Sequence, residues 1–333
     1  MPTISSGSGW DWFSGASGGG GGGVGTNRRG YVAGWFALEM DNQHVPVGFV
    51  TQISGGQFHA DTLKHDRGND PFTAKQPGII RYEDITVGVG MPSSMKLFNW
   101  VNSALRNKPE RHTGALVAFD NFANRRERAR RVFDAALLSE ITFPTLDAST
   151  TTTPANITLK ISPETLRYEQ GGSVFQAQQA RDEALKQKLW STANFGLRID
   201  GIWDGGVKVN SRIDSFTIRQ HIMRHRAGNR LDASIYPGKI EYPNIVVSFG
   251  EENMNTWYRW WKDNLARNVT RRTGSISWYA PNQHTELMRL NLTGVGLLNL
   301  EIDKYEAGKT KMSQAKATLF IEGMELQRGA GNV

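Results

Sequence analysis

Slid against itself by 160 positions, the chain of 333 residues lays PGIIRYEDITVGVG (77–90) over PGKIEYPNIVVSFG (237–250). The identities continue at the same offset: Ile53/Ile213, His65/His225, Gly68/Gly228, Asn69/Asn229, Tyr82/Tyr242, Trp100/Trp260, Leu105/Leu265, Thr113/Thr273 and Gly114/Gly274. Towards the ends come Thr158/Thr318, Leu159/Leu319, Ile161/Ile321 and Leu166/Leu326. A constant offset over more than 100 residues reads as one domain present twice. The expected division is an arm over 1–29, a first domain over 30–172, a helical linker over 173–190, a second domain over 191–328 and a tail over 329–333.

Each copy carries the same local signals. Ile85, Val87 and Val89 alternate with Asp84, Thr86 and Gly88, and Ile245, Val247 and Phe249 repeat the pattern, so each stretch predicts a strand with one buried face. Leu97, Trp100, Val101, Ala104 and Leu105 then recur at helical spacing, with Pro92 and Ser93 suited to the first turn. The second helix carries Trp257, Trp260, Trp261 and Leu265 behind Glu251 and Glu252, acids that favour a helix N-terminus. Leu116, Val117 and Phe119 match Ile276, Trp278 and Tyr279, and a final strand alternates at Ile157, Leu159, Ile161 and again at Ala317, Leu319, Ile321. The expected class is mainly β, in the α+β sense: two tandem antiparallel sandwich or barrel domains, each with a flanking amphipathic helix. Trp100, Leu105, Ile85 and their counterparts Trp260, Leu265, Ile245 are the expected core, with Pro77-Gly78 and Pro237-Gly238 as turns setting strand entry.

Between and before the copies the composition changes. Residues 15–25 read GASGGGGGGVG, which has no apolar face to bury, and Trp10, Trp12 and Phe13 precede it either as a docking anchor or as disordered, tag-like sequence. Residues 173–190 are rich in Ala, Gln, Leu and Lys, as a linker helix requires. No run approaches a membrane span, and MPTISSGSGW lacks the basic and apolar stretches of a secretory leader, so a cytoplasm is the expected place of synthesis. The absence of Cys removes disulfides and thiolate chemistry. Of the net charge of +7, residues 30–172 contribute 15 basic against 15 acidic side chains and residues 191–328 contribute 19 against 14. That surplus suits nucleic acid or an acidic partner, or merely a solvated face.

A search for chemistry returns little. The glycine run lacks a following Lys-Ser/Thr, and Gly308-Lys309-Thr310 has Asp303 where a phosphate loop needs Gly. His221 and His225 lie in a β-like segment. Four residues of extended chain set two side chains roughly 13 Å apart, too far to share a metal. No catalytic, metal-binding or cofactor-binding residues are expected, and no cofactor. RRERARR (125–131) reads either as a phosphate- or subunit-binding patch or as a solvated hairpin.

The order of these elements carries a resemblance. A strand ending Gly-Phe-Val (48–50) leads to Ile-Ser-Gly-Gly (53–56), a polar loop with His65-Asp66-Arg67-Gly68-Asn69, then Pro-Gly, an alternating strand, a Trp-bearing helix and Thr-Gly. The second copy repeats it with Ile213-Asp214-Ser215, His225-Arg226-Ala227-Gly228-Asn229 and Pro237-Gly238. This resembles the contractile-phage tail tube family, which includes the inner tubes of phage-like injection particles. The resemblance covers about 30–170 and 191–328.

The resemblance implies rings of six domains whose strands join in one inner barrel, stacked into a hollow tube inside a contracting sheath. The implied partners are the chain itself, the sheath, the baseplate hub or tube initiator, and a DNA or effector cargo passing without specific binding. The implied location is the virion tail, assembled in the host cytoplasm without a membrane anchor. Ring closure would hide strand edges that invite aggregation. The loops 59–77 and 219–236, with His65, Arg67, Asn69, His225, Arg226 and Asn229, are the expected stacking contacts. Typical tube subunits have one such domain; two linked domains make a trimer of pseudo-dimers, as in phage hub proteins, or a hexamer spanning two rings. The expectation is therefore a tail tube subunit, with a hub or tube-end adaptor as the alternative and a nucleic-acid-binding protein as the rival from another class.

Overall fold

The computed structural model describes residues 35–41, 46–66, 68, 72–90, 94–119, 127–150, 154–171, 190–204, 210–226, 228, 232–265, 271–302 and 314–329. The arm, nearly all of the linker, Arg67, Asn69, Asn229, the Lys309 segment and Arg125-Arg126 lie outside them.

The first half is built from β1 (Trp35–Met40), β2 (Pro46–Gly55), β3 (Phe58–His65), β4 (Ala74–Tyr82), β5 (Ile85–Gly90), α1 (Met95–Leu105), β6 (His112–Phe119), β7 (Glu127–Phe143), β8 (Leu146–Asp147), β9 (Asn156–Ser162) and β10 (Thr165–Gln170). Antiparallel pairing runs β7-β6-β1-β2-β5-β9 and returns from β9 to β7, closing a six-stranded barrel. Closure works because β7, 17 residues long, changes neighbours along its length. Its first part pairs with β6 and β10, and Leu137–Thr142 pairs with β9. β3 and β4 form a separate two-stranded hairpin.

The second half follows with β11 (Phe195–Ile199), β12 (Trp203–Asp204), β13 (Asn210–Ile213), β14 (Phe216–His225), β15 (Ser234–Glu241), β16 (Ile245–Gly250), a 3-10 turn Glu251–Asn253, α2 (Met254–Leu265), β17 (Arg272–Tyr279), β18 (Glu286–Ile302), β19 (Gln314–Phe320) and β20 (Gly323–Arg328). Its ladder runs β12-β11-β17-β18-β19-β16-β13, the order of the first barrel with β12 and β13 standing for the two ends of β2. Among the described residues the chain is thus predominantly antiparallel β with two short α-helices, as the periodicities predict.

The ladders refine the repeat. Ile53↔Val87 matches Ile213↔Val247 at offset 160, but Leu116↔Arg131 matches Ile276↔Leu290 only if β18 is offset by 159. Ile85↔Ile161 likewise matches Ile245↔Leu319, an offset of 158 for the last strands. The end identities Leu159/Leu319 and Ile161/Ile321 are therefore two residues out of register. A slip of two keeps every side chain on its own face, which is why the apolar alternation conceals it.

Three further readings need correction. Pro77-Gly78 and Pro237-Gly238 are not turns: they sit inside β4 and β15, at matching bulges where the register shifts between Ala60 and Thr62 and between Gln220 and Ile222. A bulge is one of the few places in a strand where the missing Pro N–H costs nothing. The loops 59–77 and 219–236 are mostly strand; His65 and His225 end β3 and β14, and Arg226 follows directly. The charge run is no solvated hairpin, because Glu127 and Arg130 are buried in β7. Arg130 Nε donates to Glu127 Oε1 at 2.8 Å, and its Nη1 lies 3.0 Å from Glu39 Oε2 of β1. Burial pushes this guanidinium down, but the two carboxylates outweigh it and hold it above its usual range.

Core packing follows the periodicities. Ile85, Val87 and Val89 face inward beneath Leu97, Trp100, Val101, Ala104 and Leu105 of α1, which starts at Met95 with Ser94 Oγ accepting from Leu97 N. Trp100 Nε1 donates to the Glu110 carbonyl at 3.1 Å. In the second half Trp257 stacks on Phe249 at 4.9 Å and lies 5.7 Å from Trp203 and 6.0 Å from Trp260. Ile245 and Trp260 are buried with them.

Candidate assembly interface

The two halves join by adding strands. β14 lies antiparallel on the far edge of β7, with Phe216↔Phe143, Thr217↔Thr142, Ile218↔Ile141 and Arg219↔Glu140, so the second half's hairpin extends the first half's sheet. β7 has this edge free because β6 covers it only as far as Ala136. Alternation along the last residues of β7 turns Phe143 and Ile141 inward, and Phe143 stacks on Phe216 at 5.0 Å and on Trp278 at 5.7 Å. On the other face the hydroxyls of Thr142 and Thr217 are 2.8 Å apart. A second short ladder, β8 with β13, pairs Leu146↔Ile213 and Asp147↔Arg212.

Polar contacts complete the junction. Arg224 Nη2 reaches Asp84 Oδ1 at 2.9 Å, Tyr82 Oη donates to Asp232 Oδ1 at 2.9 Å, and Tyr242 Oη donates to the Leu105 carbonyl at 2.7 Å. Arg111 donates to the Ile235 carbonyl and lies over the Tyr236 ring at 5.2 Å. β20 packs on α1, where Leu326 N donates to Asn102 Oδ1 at 2.8 Å. Burial, with the Asp232 carboxylate, pushes the Tyr82 hydroxyl up to about 12, so it stays a neutral donor over the physiological range.

Asp147 provides a pH handle on the second ladder. The Ser149 hydroxyl holds its carboxyl below the usual range, aided by Arg212, against a smaller upward push from burial. A depressed folded-state pKa stabilises above the ordinary carboxylate pKa of about 4, and the contribution disappears as pH falls through the folded value. Asp147→Asn is therefore expected to lower stability modestly at pH 7 and to flatten the acid limb of a urea-midpoint profile. An unchanged acid limb would assign that limb to other carboxylates.

Of the residues singled out in the sequence, Trp100, Leu105, Trp260, Ile85 and Ile245 lie in the core, while for Leu265 only the backbone in α2 is described. His65, His225 and Arg226 lie near hairpin tips rather than at the junction, and His221 pairs across its hairpin with Glu241 at 3.0 Å. The junction residues Phe143, Thr142, Phe216 and Ile218 escape sequence reading. The one available signal is the apolar alternation that persists to the end of β7, past the stretch that β6 covers.

Together these features define a β-barrel domain whose sheet is extended edge to edge by strands from the second half of the chain. Residues 32–167 match the family model described as T4-like virus tail tube protein gp19. No curated protein sequence matches the chain. Among solved structures, similarity extends to a chain of the anti-feeding prophage baseplate, at 13% identity over 40% of this chain and 93% of that one, with a TM-score of 0.36. A chain of the PVC extracellular contractile injection system sheath–tube complex is 18% identical over 40% and 88%, with a TM-score of 0.34. Hcp1 from Flavobacterium johnsoniae is 9% identical over 40% and 95%, with a TM-score of 0.25.

Proposed function

We propose that this protein is a structural subunit of the inner tail tube of a contractile tail or phage-like injection system, acting by ring assembly and ring stacking rather than by catalysis. The match of residues 32–167 to the tail tube family carries the reading. The second half is a second tube domain in this proposal, supported by its recurring ladder order. Because β14 joins β7 side by side, the two domains take neighbouring places in one ring. Sheath and baseplate proteins are the external partners, the lumen passes cargo without specific binding, and assembly takes place in the host cytoplasm.

Nucleic-acid binding through the basic second half has less support, since six of its described arginines are engaged. Arg198, Arg212, Arg219, Arg224, Arg271 and Arg289 each lie within ion-pair distance of a carboxylate. Electron microscopy of the purified protein is expected to show hollow tubes of stacked rings, with no binding of duplex DNA at low salt. Rings that never stack would place the protein at the baseplate or tube end, and monodisperse monomers would overturn the reading.

A further inference from the structure

The intrachain junction uses one surface from each half: the first offers the far edge of β7 and the outer face of α1, the second offers β14 and β20. Each half also carries the counterpart of the surface it does not use. Matched by ladder register, β14 corresponds to β3, β20 to β10, the end of β7 to the end of β18, and α1 to α2.

These counterparts differ in burial in a consistent direction. Ile218 is 2% exposed against β7, while its counterpart Phe58 is 52% exposed. Leu326 of β20 is 2% exposed where β20 meets α1, while Tyr168 of β10 is 46% exposed. Phe143 is fully buried, while Ile302 is 49% exposed. Phe98 of α1 is 7% exposed, while Tyr258 of α2 is 50% exposed. Four large apolar side chains thus stand in solvent where their counterparts are buried at the junction. Among the described residues, neither β3 nor the stretch Asn299–Ile302 has a strand on its second edge.

We infer that the first half of one chain docks on the second half of another copy, repeating the intrachain junction. β3 adds to the end of β18, with Gln57↔Glu301, Phe58↔Leu300 and His59↔Asn299, and β10 meets α2. The contact is head-to-tail, so every added chain leaves one donor and one acceptor until the ring closes. Within the six-domain ring of the proposed function, on which this count rests, closure takes three chains. Part of the acceptor is already in place: Arg271 and Glu322, which correspond to Arg111 and Glu164 beside the junction, form their own 2.6 Å pair. The donor hairpin is rooted differently from β14. Gly55 and Gly56 there have φ of +78° and +72°, where the second half has Ser215 and Phe216. Glycine enters that left-handed region without steric cost, so the hairpin leaves β2 by a backbone path that Ser215 and Phe216 do not take.

The test uses the absence of native Cys. Gln57→Cys/Glu301→Cys occupies the counterparts of Thr217 and Thr142, whose hydroxyls meet at 2.8 Å. Side chains in such contact across a strand pair are close enough for a disulfide. Mild oxidation is expected to give covalent dimers and trimers, stopping at the trimer and collapsing on reduction. Each single variant is expected to give no trimer. Thr142→Cys/Thr217→Cys, closing within one chain, is the positive control. Rings by electron microscopy without a cross-linked ladder would overturn the register while leaving ring formation standing. A ladder running past three chains would overturn the trimer, and neither rings nor ladder would overturn this inference and the tube reading together. Phe58→Glu provides a separate check, expected to abolish assembly while leaving a cooperatively folding monomer. Assembly that survives it would overturn the contact.

Discussion

Arg130→Met is expected to destabilise the fold by about 3–5 kcal/mol at pH 7, the cost typical of removing one partner from a buried ion pair. Arg130 stands between Glu39 and Glu127, and all three are buried. The substitution preserves most of the side-chain volume, so cavity formation adds little and the lost cation dominates. Urea unfolding measures the loss. It should shrink on acidification, because two buried carboxyls without their cation take up protons more readily, and a protonated carboxyl needs no counter-charge. A loss independent of pH would point to packing instead. The second half retains the pair as Glu286 and Arg289, at 2.7 Å, but has Arg198 in place of Glu39, and that Arg198 is exposed. The buried charged triad is therefore particular to the first barrel.

Trp257→Ala is expected to cost about 3–5 kcal/mol, the range for removing a large buried aromatic side chain. Trp257 is fully buried among Phe249, Trp203 and Trp260, so three aromatic neighbours would have to collapse into the vacated volume. Tyr258 is one residue along the same helix and half exposed. Tyr258→Ala should change monomer stability by only about 0.5 kcal/mol or less, as surface substitutions do. Denaturant midpoints of the two variants separate a core role from a surface one. Similar losses would show that α2 is not seated on the barrel by its Trp257 face. The assembly inferred above gives Tyr258 a different readout, since its loss should appear in ring formation.

How much of this was legible in the sequence depends on the range of the interaction. The strands at Ile85–Gly90 and Ile245–Gly250 and the helices behind them follow from spacing alone. Alternation and the helical stripe are local properties that survive any choice of neighbours. The Pro-Gly pairs misled because the same dipeptide that favours a turn also fits a bulge, and only the strand opposite distinguishes them. The charge run misled because burial of Arg130 depends on Glu39, 91 residues earlier in the chain.

The sequence by itself determined that a pattern of residues recurs at a near-constant offset, that strands and a helix follow from its periodicities, and which family that pattern resembles. Those conclusions rest on periodicity and order, which a single chain displays without reference to its partners. The tertiary structure alone decided the register slips of 159 and 158, the closure of β7 on β9, and the placement of β14 on the remaining edge of β7. A strand carries two equivalent hydrogen-bonding edges, and its side-chain pattern specifies which face is buried but not which strand lies alongside. That choice belongs to the assembled sheet, and it is what leaves β3 and the end of β18 as the complementary surfaces of the chain.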